Sequence, residues 1–263
     1  MKKHFFGLVC ILLILAITGI SWKPVSRNKS KIATNVNRPF TANEFLERYI
    51  SNIYESAHLE ESGLAMEVFK KAITGYLNLK GRNKLPANSS VVTVVDLAKS
   101  SHEKRMWIID VLNKTLILNT WVAHGHGSGG DMATRFSDKM DSHKSSLGFY
   151  LTDDVYYGKN GRSLRLDGLD AGFNSHARAR AIVVHGADYV GEGNIDEEGR
   201  LGRSYGCPAV SPDVADMVID NIKDKTVLFI NGNSNKYSSK YLDREIAANF
   251  VYNDPANSYI ADL

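Results

Sequence analysis

The chain has 263 residues, of which 43% are hydrophobic and 6 are proline, so it holds enough apolar side chain to bury one substantial core. Its 23% charged fraction is that of an ordinary globular protein, which argues against a disordered chain and for one main domain with an accessory piece. A net charge of +3, to which Lys2 and Lys3 contribute, is too small to indicate a nucleic-acid partner, and none is expected.

The chain opens Met1-Lys2-Lys3-His4 and then runs without a charge from Phe5 to Ile20, the pattern of an export signal. A membrane-spanning helix needs about 20 apolar residues, although about 17 suffice. No Ala-x-Ala site follows, so residues 1–22 read either as a signal peptide or as an uncleaved N-terminal membrane anchor. Residues 23–39 carry Lys23, Arg27, Lys29, Lys31 and Arg38 and little that packs, which predicts a tether.

Residues 40–85 read as a small helical hairpin. Thr41 and Glu44 form the pattern of a capping box, with Phe45, Tyr49, Ile50 and Ile53 at helical spacing behind it. A second amphipathic helix fits Ala65, Val68, Phe69, Ala72, Ile73, Tyr76 and Leu77. From 86 to 235 the pattern changes to short apolar runs between turn residues: 91–97, 106–112, 116–122, 148–152, 164–166, 182–184 and 227–230. That is the reading of a mostly β domain. Asn113-Lys114 suggests a hairpin turn, although Gly is the usual second residue of such a turn. One helix interrupts the strands, opened by Ser211 as N-cap, Pro212 and Asp213, with Val214, Val218 and Ile222 on one face. The tail, 236–263, is polar and ambiguous.

Cys10 lies inside the apolar N-terminal run, which leaves Cys207 as the only thiol of the exported part. An unpaired cysteine in such a chain is an inert buried side chain, an intermolecular disulfide or a reactive thiol. Upstream, Ile182-Val183-Val184 places His185 at the end of a buried strand, and Gly186 lets the chain turn. Residues 191–199, rich in Gly, Asp and Glu, read as a surface loop, and Arg203-Ser204-Tyr205-Gly206-Cys207-Pro208 follows. A thiol of pKa about 8.5 is only a few per cent thiolate at pH 7, so a cysteine nucleophile needs a base or a cation beside it. His185 is the candidate base. Ser204 is a candidate to orient its imidazole, and Arg203 a candidate source of positive potential. The backbone N–H groups of Tyr205, Gly206 and Cys207 are candidates for an oxyanion hole, since Pro208 has none.

These residues resemble the L,D-transpeptidase catalytic domains of the YkuD type, whose signature is His followed by a small residue, a spacer, and Ser-His-Gly-Cys. Here the matching residues are His185-Gly186 and Ser204-Tyr205-Gly206-Cys207, with Tyr205 in place of the usual second His. A divergent murein L,D-transpeptidase branch looks like a closer match. It shares the segments 124–129 (His-Gly-His-Gly-Ser-Gly), 145–150, 163–169 and 202–208, so that the resemblance covers roughly residues 90–232.

The resemblance implies a YkuD-like β-sandwich or barrel catalytic domain acting on peptidoglycan stem peptides in the bacterial cell envelope, in the periplasm or on the outer face of the inner membrane. It implies Cys207 as nucleophile, His185 as base and Ser204 in support, and no cofactor. His124 and Ser128 would line the cleft. Arg203 would bind a stem carboxylate or form a surface ion pair, and Tyr205 would be a cleft wall or core packing.

Two alternatives stand beside this reading. His124, His126 and His143 with Asp131 raise the possibility of zinc-dependent amide hydrolysis, although their spacing matches no common zinc motif. The other alternative is a tethered wall-binding module whose cysteine has no chemical role.

Overall fold

The computed structural model describes residues 40–257. The predicted export segment and tether lie outside them, and among the described residues no helix is long and apolar enough to cross a membrane.

Two helices come first, α1 (Ala42–Ser56) and α2 (Met66–Gly81). The Thr41 capping box forms in full: the hydroxyl accepts from Glu44 N while the Glu44 carboxylate accepts from Thr41 N at 2.8 Å. Three strands follow, β1 (Val91–Asp96), β2 (Met106–Asp110) and β3 (Thr115–Thr120). The turn between β2 and β3 is held by the Asp110 carboxylate, which accepts from Leu112 N, Asn113 N and Asn113 Nδ2. Then come β4 (Gly148–Gly158), β5 (Gly161–Gly168), β6 (Val183–Gly186) and β7 (Ala209–Val210), and finally β8 (Val227–Asn231). Helix α3 (Glu192–Glu198) lies between β6 and β7, α4 (Pro212–Ile222) between β7 and β8, and α5 (Arg244–Tyr252) near the end.

All eight strands form one sheet in the order β3-β2-β1-β8-β4-β5-β6-β7. β1 with β8 and β6 with β7 are parallel, and the other pairs are antiparallel. The segment after β3 returns to the opposite edge, where Ala123 bridges Ala209 of β7. The sheet is thereby drawn nearly closed.

Strand side chains alternate between faces, and both faces are buried, which explains the unbroken apolar runs. On one face Val92, Val94, Trp107, Ile109, Phe149, Val227 and Phe229 pack against α1, α2 and α5 in a single core. On the other, Val95, Met106, Ile108, Tyr150, Leu164, Val184, Leu228 and Ile230 pack with Val218, Ile219 and Ile222 of α4. Each such side chain contributes about 1.5–3 kcal/mol on burial. Polar ties add specificity: Trp107 Nε1 donates to Ser62 O at 3.2 Å, and Asn78 Nδ2 donates to Tyr241 O at 3.0 Å and Asp243 O at 2.7 Å.

The structure departs from the sequence expectations in three elements. Residues 192–198, read as loop, are helical, but no residue of α3 is buried, so no apolar periodicity marked it. β4 extends to Gly158 through a register irregularity between Thr152 and Val155, where the apolar pattern lapses. The tail residues Arg244–Tyr252 form a helix that buries Ala247, Ala248 and Val251 in the core shared by α1 and α2.

Candidate active site

His185 sits on β6, hydrogen-bonded between β5 and β7 in register with Ser163 and Ala209. Val183 and Val184 anchor it, each buried. The imidazole is buried too, and its Nδ1 lies 2.9 Å from the carbonyl of Gly186. That contact makes Nδ1 the protonated nitrogen and leaves Nε2 as the acceptor. Burial holds the His185 pKa below the usual imidazole value, against the pull of the Gly186 carbonyl and with a smaller push from Lys159.

Cys207 lies two residues before β7, half-buried against the core of the α4 face. Its Sγ donates to the carbonyl of Ala181 at 3.7 Å. Ala181 has φ 53, a left-handed conformation that costs a non-glycine residue about 1 kcal/mol or more, and this strained residue carries the acceptor for the thiol. Burial pushes the thiol pKa up. Both shifts favour the neutral thiol and the neutral imidazole over an ion pair.

Both side chains line one cleft of about 1010 Å³, together with Arg203, Ser204 and Tyr205. The cleft also gathers residues not singled out in the sequence: Tyr156, Tyr157 and Lys159 from the β4–β5 hairpin, and Arg180, Asp188 and Tyr189. Of these, Arg180 had a signal in its position five residues before His185, in Arg178-Ala179-Arg180. Tyr156 and Tyr157 had none, because their strand extension carries no apolar alternation.

Ser204 does not reach the imidazole. Its hydroxyl donates to Cys207 O at 2.6 Å and accepts from Gly206 N at 3.0 Å, so it clamps the turn that carries the thiol. Gly206 adopts φ 121, a conformation L side chains rarely take. Because the Gly206 N–H is committed to Ser204, the candidate oxyanion donors reduce to the N–H groups of Tyr205 and Cys207.

The segment 124–128 braces this turn from behind instead of lining the cleft. Ser204 N donates to His124 O at 3.0 Å, and His126 N donates to Ser204 O at 2.8 Å. Ser128 is fully buried, its hydroxyl accepting from Ser145 N at 2.9 Å, while Ser145 Oγ accepts from Gly125 N at 3.0 Å. His124 is buried as well, its Nδ1 accepting from Arg105 Nη2 at 2.9 Å. Burial, and then the Arg105 charge, push its pKa down to about 4. Arg203 donates from Nη1 to Gly129 O at 2.8 Å and forms no ion pair among the described residues.

Tyr205 is 68% exposed, which settles it as cleft wall and not core. Its ring lies 4.5 Å from that of His143 and 5.2 Å from that of His126, centroid to centroid. Those two histidines therefore meet Tyr205, whereas His124 is held apart on Arg105. Asp131 accepts from Ser100 and Ser101. Among the described residues no three His, Cys, Asp or Glu side chains are grouped as a metal ion requires, so the zinc alternative lacks its ligand set.

The family model of the L,D-transpeptidase catalytic domain matches residues 60–231. A comparison with curated proteins finds no significant match. Among solved structures, an L,D-transpeptidase from Mycobacterium smegmatis aligns at 12% identity and TM-score 0.35, over 55% of this chain and 59% of that one. The helical cell shape determining protein Pgp2 from Campylobacter jejuni aligns at 11% and 0.39, over 68% and 61%. An L,D-transpeptidase from Stackebrandtia nassauensis aligns at 12% and 0.35, over 76% and 97%. The chain thus spans about three-fifths of the length of the first two of these solved chains. With a family model that matches well over half its length, the chain belongs to the L,D-transpeptidase catalytic domain family.

Proposed function

We propose that this protein is a cysteine acyltransferase of peptidoglycan stem peptides, acting as an L,D-transpeptidase or L,D-carboxypeptidase through a Cys207 acyl-enzyme. The observation that carries the reading is the meeting of Cys207 and His185 in one cleft, with Nδ1 of His185 committed to Gly186 O and Nε2 left to accept a proton. Sγ attacks the carbonyl on the L side of the terminal L,D bond as Nε2 takes the thiol proton. The imidazolium then returns that proton to the departing amine of D-Ala, leaving a thioester. An amine of a second stem, or water, resolves the thioester and regenerates the thiol.

Because burial favours the neutral pair, the site must stabilise the charge that develops as the sulfur attacks. The N–H groups of Tyr205 and Cys207 serve the oxyanion. Ser204 acts by holding the turn that aims those groups. Arg203 and Tyr205 border the cleft, where a stem carboxylate and the peptide's apolar flank would lie. Residues 1–22 direct export to the bacterial envelope and 23–39 tether the catalytic part, a proposal supported by Lys2-Lys3 and the uncharged run 5–20.

The test is intact-mass spectrometry of the protein after incubation with a carbapenem and, separately, with a tetrapeptide muropeptide. Wild type is compared with Cys207→Ala and with a chelator-treated sample. An adduct that needs Cys207 and survives the chelator is expected. Full muropeptide turnover by Cys207→Ala would refute the nucleophile. Sedimentation with peptidoglycan but no adduct would favour the wall-binding module.

A further inference from the structure

The cleft holds four cations, Lys159, Arg162, Arg180 and Arg203, and they differ in what neutralises them. Arg162 is paired with Asp216 at 3.0 Å and with Asp220 at 2.6 Å. Arg178, two residues before Arg180, is spent outside the cleft on Asp153 and Asp167. Among the described residues Lys159, Arg180 and Arg203 have no carboxylate partner, and of the three Arg180 makes the most hydrogen bonds. Its Nη1 donates to Ser137 O at 3.0 Å and to Ser146 Oγ, and its Nη2 donates to Lys144 O at 2.7 Å and Ser142 Oγ at 3.3 Å. Every one of these acceptors is neutral, and no carboxylate pairs with Arg180 among the described residues. Nη2 also lies against the nucleophile turn, 3.2 Å from where a Cβ on Gly206 would stand.

We propose that Arg180 is a positioning residue for the reactive thiol: its guanidinium, fastened by neutral acceptors and left without a counter-charge, supplies the positive charge that favours a negative sulfur at Cys207. The proposal rests on Cys207 being the nucleophile. Carbonyl and hydroxyl dipoles satisfy the N–H groups and fix the guanidinium plane, but they do not cancel its charge as a carboxylate would. Fastening also costs the cation nothing at the moment of reaction, because it does not need to reorient.

Other groups line the same cleft as the sulfur. Lys159 comes from the β4–β5 turn, His185 from β6, Tyr189 from the turn after it, and Arg203 from the segment before Cys207. The carboxylates in the same cleft are Asp188 and Asp216, the latter already paired with Arg162. Burial raises the thiol pKa. Opposing it are a backbone hydrogen bond at Val183, then Arg180, then Lys159.

The test needs no substrate, because iodoacetamide reacts with the thiolate and its rate against pH reports the thiol's titration. Full-length wild type, Arg180→Met, Arg180→Lys and Arg162→Met are alkylated over a pH series, with labelling at Cys207 followed by peptide mass mapping, which separates it from Cys10, and folding checked by circular dichroism. Arg180→Met is expected to move the midpoint up by on the order of one pH unit, and Arg180→Lys, which keeps the charge, to stay near wild type. Arg162→Met bares the Asp216 and Asp220 carboxylates as it removes their cation, so it reports how the sulfur senses a cleft charge away from the nucleophile turn; its shift is expected to be smaller than that of Arg180→Met, and an equal or larger one would overturn the proposal. An unmoved midpoint in folded Arg180→Met would overturn the proposal. Should that variant not fold, Arg180→Gln, which keeps hydrogen-bond donors and loses the charge, takes its place: a raised midpoint supports the proposal, and an unmoved one overturns it. A wild-type Cys207 that resists alkylation at every pH would instead overturn the nucleophile reading, and this proposal with it.

Discussion

Gly125→Ala is the sharpest probe of how the site is held. A Cβ at position 125 would stand 2.5 Å from His143 O, 2.8 Å from Gly206 Cα and 2.9 Å from Gly206 N. All three atoms are backbone, so no flexible side chain can yield, and the turn carrying Cys207 must move by roughly half an ångström to an ångström. Overpacking of this kind costs about 1–3 kcal/mol. For a domain of this size, about 2 kcal/mol lowers Tm by about 4–8 °C. The effect on turnover is expected to be larger in proportion, about 10–100-fold, because displacing a reacting group by about an ångström has that consequence even when the fold survives. Gly130→Ala is the control within the same segment, since an added Cβ there meets nothing within 4 Å. Muropeptide turnover and thermal melting of both variants decide the matter. If Gly125→Ala melts with the wild type and turns over within twofold of it, the segment 124–126 does not hold the nucleophile turn.

Three more perturbations bear on the same architecture. Ser204→Ala removes the hydroxyl bonds to Cys207 O and Gly206 N, at about 1 kcal/mol each; turnover is expected to fall about tenfold while the titration of His185, followed by NMR, stays put, and a shift above half a unit would mean that Ser204 does touch the imidazole. The acid limb of kcat/KM is expected to lie below the ordinary imidazole value of about 6.5, because burial lowers the His185 pKa and the base must be neutral; a limb at pH 7 or above would contradict a buried neutral base. Asp170 accepts from Phe149 N, Tyr237 and Ser239, yet burial raises its pKa above the usual carboxylate value. Its contribution to stability is therefore fully present below the unfolded carboxylate pKa and is lost as pH rises through the folded one. Melting curves across that mildly acidic window should show wild type losing stability with rising pH and Asp170→Asn lacking that slope, and parallel curves would refute the assignment.

Much of the architecture was legible in the residues because it rests on local signals. The capping box at Thr41, the apolar spacing of α1 and α2, the β-branched runs of the strands and Pro212 at the start of α4 each act over a few residues. That His185 and Cys207 share one cleft was legible for a different reason: residues 40–263 hold a single thiol, and a buried strand ends in His-Gly. What lacked a local signal was missed. α3 buries nothing, and the helix at 244–252 draws its stability from a core assembled by residues some 200 positions earlier.

The fine structure of the site belongs to the tertiary level for the same reason. Ser204 was expected to orient His185, but the imidazole's partner is its own neighbour's carbonyl, and the serine is turned toward Cys207 and Gly206. His124 and Ser128 were expected in the cleft, but both are buried away from it, with Nδ1 of His124 held by Arg105 and the Ser128 hydroxyl by Ser145 N. By itself the sequence determined which segments are apolar and which reactive side chain types the chain offers, because composition and short-range spacing act without knowledge of neighbours. Only the tertiary structure decided which polar atom each donor finds and which cations of the cleft stay without a carboxylate, because those choices are made between residues that the chain brings together from distant positions.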